Sequence, residues 1–280
     1  MTIVNSNIKA LAAQQALAVN NRALSDATAQ LSTGKRINSS ADDAAGSAIS
    51  SKLTTQARSL SMAVRNTNDG ISMMQTADGA AGGIQDMLYR MKELAVQAIN
   101  DTNSDDERTA LNNEFQQLES QILNTVANTT WNGMKLLDGS LGNNSGVATY
   151  HVGAASNDGV AVAFEDFLAF DLNTRPLATP DRAIDTGVNA NTALDSIDGA
   201  IDQISSARAT WGAAMNRLVH AGDNAANVSM NLAESNSRIV DTDYAQATAE
   251  LARSMILNQA GSAMLSQANQ QPYYVLALLS

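Results

Sequence analysis

The side chains best suited to chemistry in this sequence are acidic pairs and two histidines. Asp42-Asp43 and Asp105-Asp106-Glu107 place carboxylates side by side, as acid–base catalysis or a metal site would require. Each acidic group also stands where a helix would begin, and acids stabilise the positive end of a helix dipole. His151 and His220 lie far apart in the sequence and form no ligand cluster. We therefore interpret the acids as helix caps and both histidines as surface residues.

Sequence signatures of catalysis are missing from the chain. No G-x-S-x-G, H-E-x-x-H or phosphate-binding loop occurs, and cysteine is absent, which excludes disulfides and thiolate chemistry. We expect no enzymatic activity, no cofactor and no bound metal. Arg208 is unusual because it interrupts an apolar helical ladder. Its guanidinium either extends to solvent or pairs with an acid across the helix–helix contact.

Composition narrows the classes of partner. The 280 residues are 44% hydrophobic but only 4% aromatic, and the net charge is −11. An acidic chain repels phosphate backbones, so nucleic-acid binding is not expected. No apolar run approaches the roughly 18 residues of a membrane span. The N-terminus lacks the pattern of a cleavable signal peptide. The ends are nearly neutral whereas the middle is acidic, which favours densely packed ends around a solvated centre.

Helical periodicity dominates both halves of the chain. Apolar residues recur every seven positions near the N-terminus, which predicts a coiled-coil-like helix that ends at Gly34. A second ladder predicts a helix over residues 42–99, roughly 85 Å long if continuous, with Gly79, Gly82 and Gly83 as its weak point. The Ser104-x-x-Glu107 capping box predicts a helix that folds back on it. The methionines at helical spacing, Met62, Met73, Met74, Met87 and Met91, are interpreted as packing residues.

The rest of the chain has one short β region between helices. Strand character appears at residues 148–152 and 160–164, between turn signals. A regular 3/4 ladder over residues 194–225 predicts another long helix–helix contact. A last ladder runs from Val240 to Leu265, and its members include Tyr244, Leu251 and Met255. The apolar, nearly uncharged C-terminus predicts a surface that requires a partner.

Several long motifs in order resemble those of bacterial flagellins. They are LSTGKRINSSADDAAGSAIS at residues 31–50, RNTNDGI at 65–71, MKELAVQ at 91–97, WNGMKLLDG at 131–139, YHVGA at 150–154, SRIVDTD at 237–243 and NQAGSAMLSQANQQ at 258–271. The resemblance covers residues 1–154 and about 185–280. A hook–filament junction protein is the alternative, although it would usually lack the WNGMKLLDG-like stretch and the AMLSQANQ tail. A zinc protease grafted into the centre is disfavoured by the missing H-E-x-x-H, and a membrane-surface protein by the acidic helices.

The resemblance implies a mainly α fold of long antiparallel helices forming a rod, with a small β-hairpin region. Residues 1–43 and 236–280 would form a terminal coiled coil, 44–128 and 185–235 a helical rod domain, and 129–184 the hairpin region. It implies a subunit of an extracellular flagellar filament for swimming, exported unfolded without a cleaved signal peptide and polymerised at the distal tip. The implied partners are other copies of the chain, an export chaperone, the filament cap and hook–filament junction proteins.

Two sets of site residues accompany this interpretation. The apolar ends predict a polymerisation interface of Ile3, Leu17, Leu24, Leu31, Leu251, Met255, Leu265, Val275, Leu276, Leu278 and Leu279. By resemblance alone, a Toll-like receptor of the host would bind Arg90, Leu94 and Glu114. We expect Leu94 to be partly exposed and Arg90 to pair with Glu114 across two helices, and the same residues are equally consistent with internal packing alone.

Overall fold

The computed structural model describes residues 6–167 and 183–277. In chain order its elements are α1 (Ile8–Thr33), α2 (Ala44–Ile99), α3 (Asp105–Asn128), β1 (Thr130–Trp131), β2 (Met134–Lys135), α4 (Leu141–Asn144), β3 (Val147–His151), β4 (Gly159–Ala163), α5 (Gly187–Val240) and α6 (Tyr244–Ala277). The contacts divide the chain into a terminal unit, residues 1–57 with 230–280, and a central unit, residues 58–229. The predicted boundaries at residues 43/44 and 235/236 fall inside the terminal unit, and that finer division stays a prediction.

Local capping fixes where the helices begin and end. Asn7 caps α1 by accepting the backbone N–H of Ala10 at 3.1 Å. Gly34 ends α1 in the left-handed region at φ 71°, where glycine alone carries no Cβ penalty. The predicted capping box of α3 is confirmed, since Ser104 and Glu107 exchange hydrogen bonds with each other's backbone N–H groups.

The start of α2 differs from the prediction by two residues. Asp43 is its cap, accepting the N–H of Gly46 at 2.8 Å, and the helix begins at Ala44. Asp42 does not cap; its carboxylate accepts the N–H groups of Ser39 and Asn38, which lower its pKa. The preceding polar run therefore forms a turn held by Asp42. Beyond it, α2 runs without a break through its glycines to Ile99.

The core of the central unit is built from the predicted ladders of α2 and α5 together with α3 and the β region. Its buried members include Met73, Met74, Ala77, Ile84, Leu88, Met91, Phe115, Ile122, Ile197, Ile204, Trp211 and Leu218. Trp211 is fully buried among the rings of Phe164 and Phe167, with centroids 5.6 and 5.9 Å away. Its indole N–H donates to the carbonyl of Ala163 at 2.9 Å, so one side chain ties α5 to the end of β4. Met62, in contrast to its prediction as a packing residue, is exposed.

The β region forms antiparallel pairs, as the sequence predicts. Strands β3 and β4 pair in the register Val147 with Ala163, each strand beginning one residue earlier than predicted. Strands β1 and β2 pair across Asn132-Gly133, both with positive φ. The predicted region over 129–184 extends into residues 168–182, which lie outside the described part.

Helices α1 and α6 form an antiparallel pair in the terminal unit. On the contact side of α6, small residues recur every seven positions. They are Ala247, Ser254, Gly261 and Ala268. A Cβ on Gly261 would lie 2.8 Å from a methyl group of Leu17, so glycine permits the close approach. Asn7 and Asn20 donate to the carbonyls of Ala268 and Ser254, both at 2.8 Å. We call this contact the terminal seam.

Within the terminal unit, the segment between α1 and α2 is hydrogen-bonded to the segment between α5 and α6. The N–H of Arg36 donates to the carbonyl of Val240 at 2.6 Å, and the N–H of Thr242 donates to that of Gly34 at 3.0 Å. The Arg36 guanidinium also donates to the carbonyl of Ile239 at 2.7 Å, near the end of α5. This pairing satisfies backbone groups that the ends of α1 and α5 leave open.

The burial of Tyr150 makes the stability of the central unit fall at alkaline pH. Burial raises its pKa to about 12, and its hydroxyl donates to the sulfur of Met73 at 3.1 Å. The folded pKa lies above the unfolded one, so the stabilisation is present below about pH 10 and is lost as pH rises towards about 12. We expect Tyr150→Phe to flatten the fall in denaturation midpoint across that window. An equally steep fall in the variant would contradict this.

Candidate assembly face and receptor surface

Large apolar side chains are exposed on both helices of the terminal unit. They are Ile8, Leu11 and Val19 of α1 and Met255, Ile256, Leu257 and Met264 of α6. We call these residues the outer apolar set. A helix that is apolar on several sides is usually surrounded by other helices. The outer apolar set is thus a candidate surface for contact with further helices.

The α1 members of the outer apolar set share one face of their helix. Ile8, Leu11 and Val19 are spaced by three and eight residues, which returns each to the side opposite the buried Ala10 and Ala27. On α6, Met255, Ile256 and Leu257 are consecutive and point in successive directions. The pair therefore presents apolar area on more than one side.

The residues predicted for polymerisation fall into three groups. Leu17, Leu24, Leu31, Leu251 and Leu265 are half-buried and lie on the sides of α1 and α6 that form the terminal seam. Met255 lies outside the seam and is 49% exposed, because the seam uses Ser254 and Asn258 instead. The remaining predictions, Ile3, Val275, Leu276, Leu278 and Leu279, lie outside the residues whose side chains are described. The role of the whole set in polymerisation stays a prediction.

Of the outer apolar set, sequence reasoning named only Met255 as an interface residue. It assigned Ile8, Leu11 and Val19 to a widened apolar stripe of the N-terminal helix, whereas the structure leaves all three exposed on the side opposite Ala10 and Ala27. The available signal was the excess of apolar residues over what a two-helix contact can bury. Ile256 and Leu257, beside Met255, carry the same signal on α6.

The second candidate site lies on the exposed side of α2 and α3. The Arg90 guanidinium donates to Glu114 at 2.9 Å and to Glu93 at 3.0 Å, so the predicted pairing across two helices is present. These hydrogen bonds, that to Glu114 first, raise the pKa of Arg90 above its ordinary value. Leu94 is only 1% exposed, so the expectation of partial exposure is wrong. It packs in the same core cluster as Phe115 of α3, because α3 folds back over this part of α2.

For Arg208, the sequence left two alternatives, extension to solvent or pairing with an acid across the helix–helix contact, and the structure decides between them. Its guanidinium donates to Asp78 and to Gln85 of α2, both at 2.7 Å, so it pairs across the helices. The bond to Asp78 raises the pKa of Arg208. This network holds α5 against α2 and engages the Arg208 guanidinium with partners on α2.

The described residues meet the requirements of neither a metal site nor a membrane-spanning helix. Among them, no cluster of three or more His, Cys, Asp or Glu side chains could hold a metal ion. Within the same residues, no helix is both long and apolar enough to cross a bilayer. The features that stand out are therefore surfaces: the outer apolar set and the Arg90–Glu114 pair.

The comparisons agree with this arrangement over nearly the whole length. Residues 4–141 match the bacterial flagellin N-terminal helical region, and residues 194–279 match the C-terminal helical region. The chain is 42% identical to a flagellin of Halalkalibacterium halodurans and 38% identical to one of Bacillus subtilis, covering 99% of each chain in both cases. It is also similar to the crystal structure of Bacillus cereus flagellin, with a TM-score of 0.51 and 31% identity over 57% of this chain and 88% of that one. With both end regions matched in order around a short centre, the chain belongs to the bacterial flagellin family.

Proposed function

We propose that this chain is a structural subunit that self-assembles through its terminal unit into an extracellular flagellar filament for swimming. The observation that carries the proposal is the outer apolar set, which a single copy leaves in water. Burying a leucine-sized side chain contributes roughly 1.5–3 kcal/mol, and repetition in every subunit biases the chain towards association. Further copies present the same set, and such self-association through unlike faces builds an open helical polymer.

Purified protein tests the proposal directly. After addition of short filament seeds, we expect uniform filaments by negative-stain microscopy and protein in the pellet after sedimentation. A chain that stays in the supernatant at every concentration and salt tried would contradict a filament role. The matches of both end regions to flagellin do not favour the alternative of a hook–filament junction protein.

Membership of the flagellin family suggests further binding partners, which we also propose. An export chaperone would cover the apolar ends before assembly, the filament cap would place each subunit at the distal tip, and junction proteins would present the first matching surface. Each of these partners must meet terminal residues that are apolar and nearly uncharged. Their binding should therefore depend weakly on salt.

We propose in addition that the Arg90–Glu114 pair forms part of a surface bound by a host Toll-like receptor. Leu94 would then act from beneath by positioning α2, since it is buried. Arg90→Ala and Glu114→Ala should each reduce receptor signalling while filaments still form. Arg58→Ala, an exposed arginine elsewhere on α2, is the matched control.

A charge swap separates recognition from internal packing. The double variant Arg90→Glu with Glu114→Arg restores an ion pair in the opposite sense. If the receptor binds these charges, the swap should signal as poorly as either single variant. Signalling at the unaltered level by the swap would assign the pair to packing alone.

A further inference from the structure

The methionines of this chain divide into protected and accessible groups. Of the 11 methionines, Met73, Met74 and Met91 are buried in the central unit. Among the described residues, five methionines are exposed, and of these Met255 and Met264 of α6, at 49% and 63%, belong to the outer apolar set, whereas Met62, Met134 and Met230 lie outside it. The chain has no cysteine, so no thiol competes with the thioethers for an oxidant. Oxidants of soft sulfur therefore reach α6 before they reach the core.

Met255 and Met264 are placed so that their oxidation alters two different sides of α6. The two residues are nine positions apart, which puts them about half a turn from each other on a helix of 3.6 residues per turn. They flank the terminal seam on opposite sides, with Ser254 and Gly261 between them on the contact side. A neighbouring copy that approaches from either side would meet one of the two sulfurs.

We propose that Met255 and Met264 are a redox-sensitive modification site that controls assembly; this rests on the proposed filament function. Hydrogen peroxide transfers one oxygen atom to the thioether sulfur and leaves as water, so the sulfur is oxidised by two electrons and the peroxide is reduced. The product sulfoxide is polar, and it disrupts contacts that depend on a flexible apolar side chain. Because the thioethers point away from the seam, the α1–α6 pair itself stays folded. Methionine sulfoxide reductases reverse the step.

The experiment compares monomer and filament under the same peroxide treatment. Peptide mass spectrometry on treated monomer should find sulfoxide at Met255 and Met264 but not at Met73, Met74 or Met91. Treated monomer should lose seeded assembly, while its circular dichroism melt is unchanged. In preformed filaments, the two residues should become protected, whereas Met134, exposed in the central unit, should stay reactive.

Variants make the assignment specific. Met255→Leu with Met264→Leu conserves volume and apolarity, so it should assemble and keep assembling after peroxide treatment. Met134→Leu should remain as sensitive as the unaltered chain. Loss of assembly by the peroxide-treated Leu double variant would overturn the proposal, as would normal assembly of monomer oxidised at both positions. If untreated protein fails to assemble, the filament function fails first, and mass spectrometry still reports which sulfurs react.

Discussion

Ile256→Glu is expected to abolish filament assembly without lowering the stability of the monomer. Ile256 is 66% exposed, so the monomer loses little by the change. In an assembled neighbour contact, the same position would place an unpaired carboxylate against apolar side chains. Burial of an unpaired charge costs several kcal/mol, which exceeds what one apolar contact contributes. Seeded sedimentation and a thermal melt, run on the same preparation, measure the two effects.

The matched control adds the same charge one turn away. Gln259 is also exposed on α6 but lies outside the outer apolar set. Gln259→Glu should assemble far better than Ile256→Glu, because a polar position is already solvated or hydrogen-bonded. Equal pelleting of Ile256→Glu and the unaltered chain would remove Ile256 from the assembly face.

Trp211→Ala should cost the central unit about 3–5 kcal/mol of unfolding free energy, the range for removing a buried large aromatic residue. The side chain is fully buried, packs against the tilted rings of Phe164 and Phe167, and donates to the carbonyl of Ala163. Its loss leaves a cavity and an unsatisfied carbonyl between α5 and β4. Chemical denaturation followed by circular dichroism measures the change.

A second Trp211 variant and a control variant on the same helix identify the source of this loss of stability. Trp211→Phe keeps an aromatic ring but removes the indole donor, and so it should cost less than Trp211→Ala. Val219→Ala truncates an exposed side chain on the same helix and should change the unfolding free energy by less than about 0.5 kcal/mol. If Trp211→Ala and Val219→Ala were equally stable, the aromatic cluster would not hold the central unit together.

Features that depend on neighbouring residues in the chain could be predicted from the sequence. The Gly34 stop and the Ser104–Glu107 capping box follow from a few residues each, and both are present. The ladder over residues 194–225 identified Ile197, Ile204 and Leu218 as buried because regular spacing is enough to define one face of a helix.

Features that depend on a second helix could not be predicted in the same way. Leu94 lies beside the α2 ladder, and only the return of α3 widens the buried arc to include it. On α6, the seam runs through Ser254 and Gly261, which a hydrophobicity pattern ignores because neither is a large apolar residue. The ladder therefore shifted by one residue to Met255. Close backbone approach, rather than apolar bulk, decides which side of α6 faces α1.

The division of the chain has a consequence for the order of folding. The halves of the terminal unit are connected only through residues 58–229, and closing a loop of that length costs about 4–5 kcal/mol of chain entropy. In the folded central unit, the hydroxyl oxygens of Ser61 and Ser229 lie 3.4 Å apart, which shortens that loop to almost nothing. The central unit thus acts as a template whose folding raises the effective concentration of α1 around α6. Pairing of the ends should therefore follow folding of the central unit, and destabilising Trp211 should delay it.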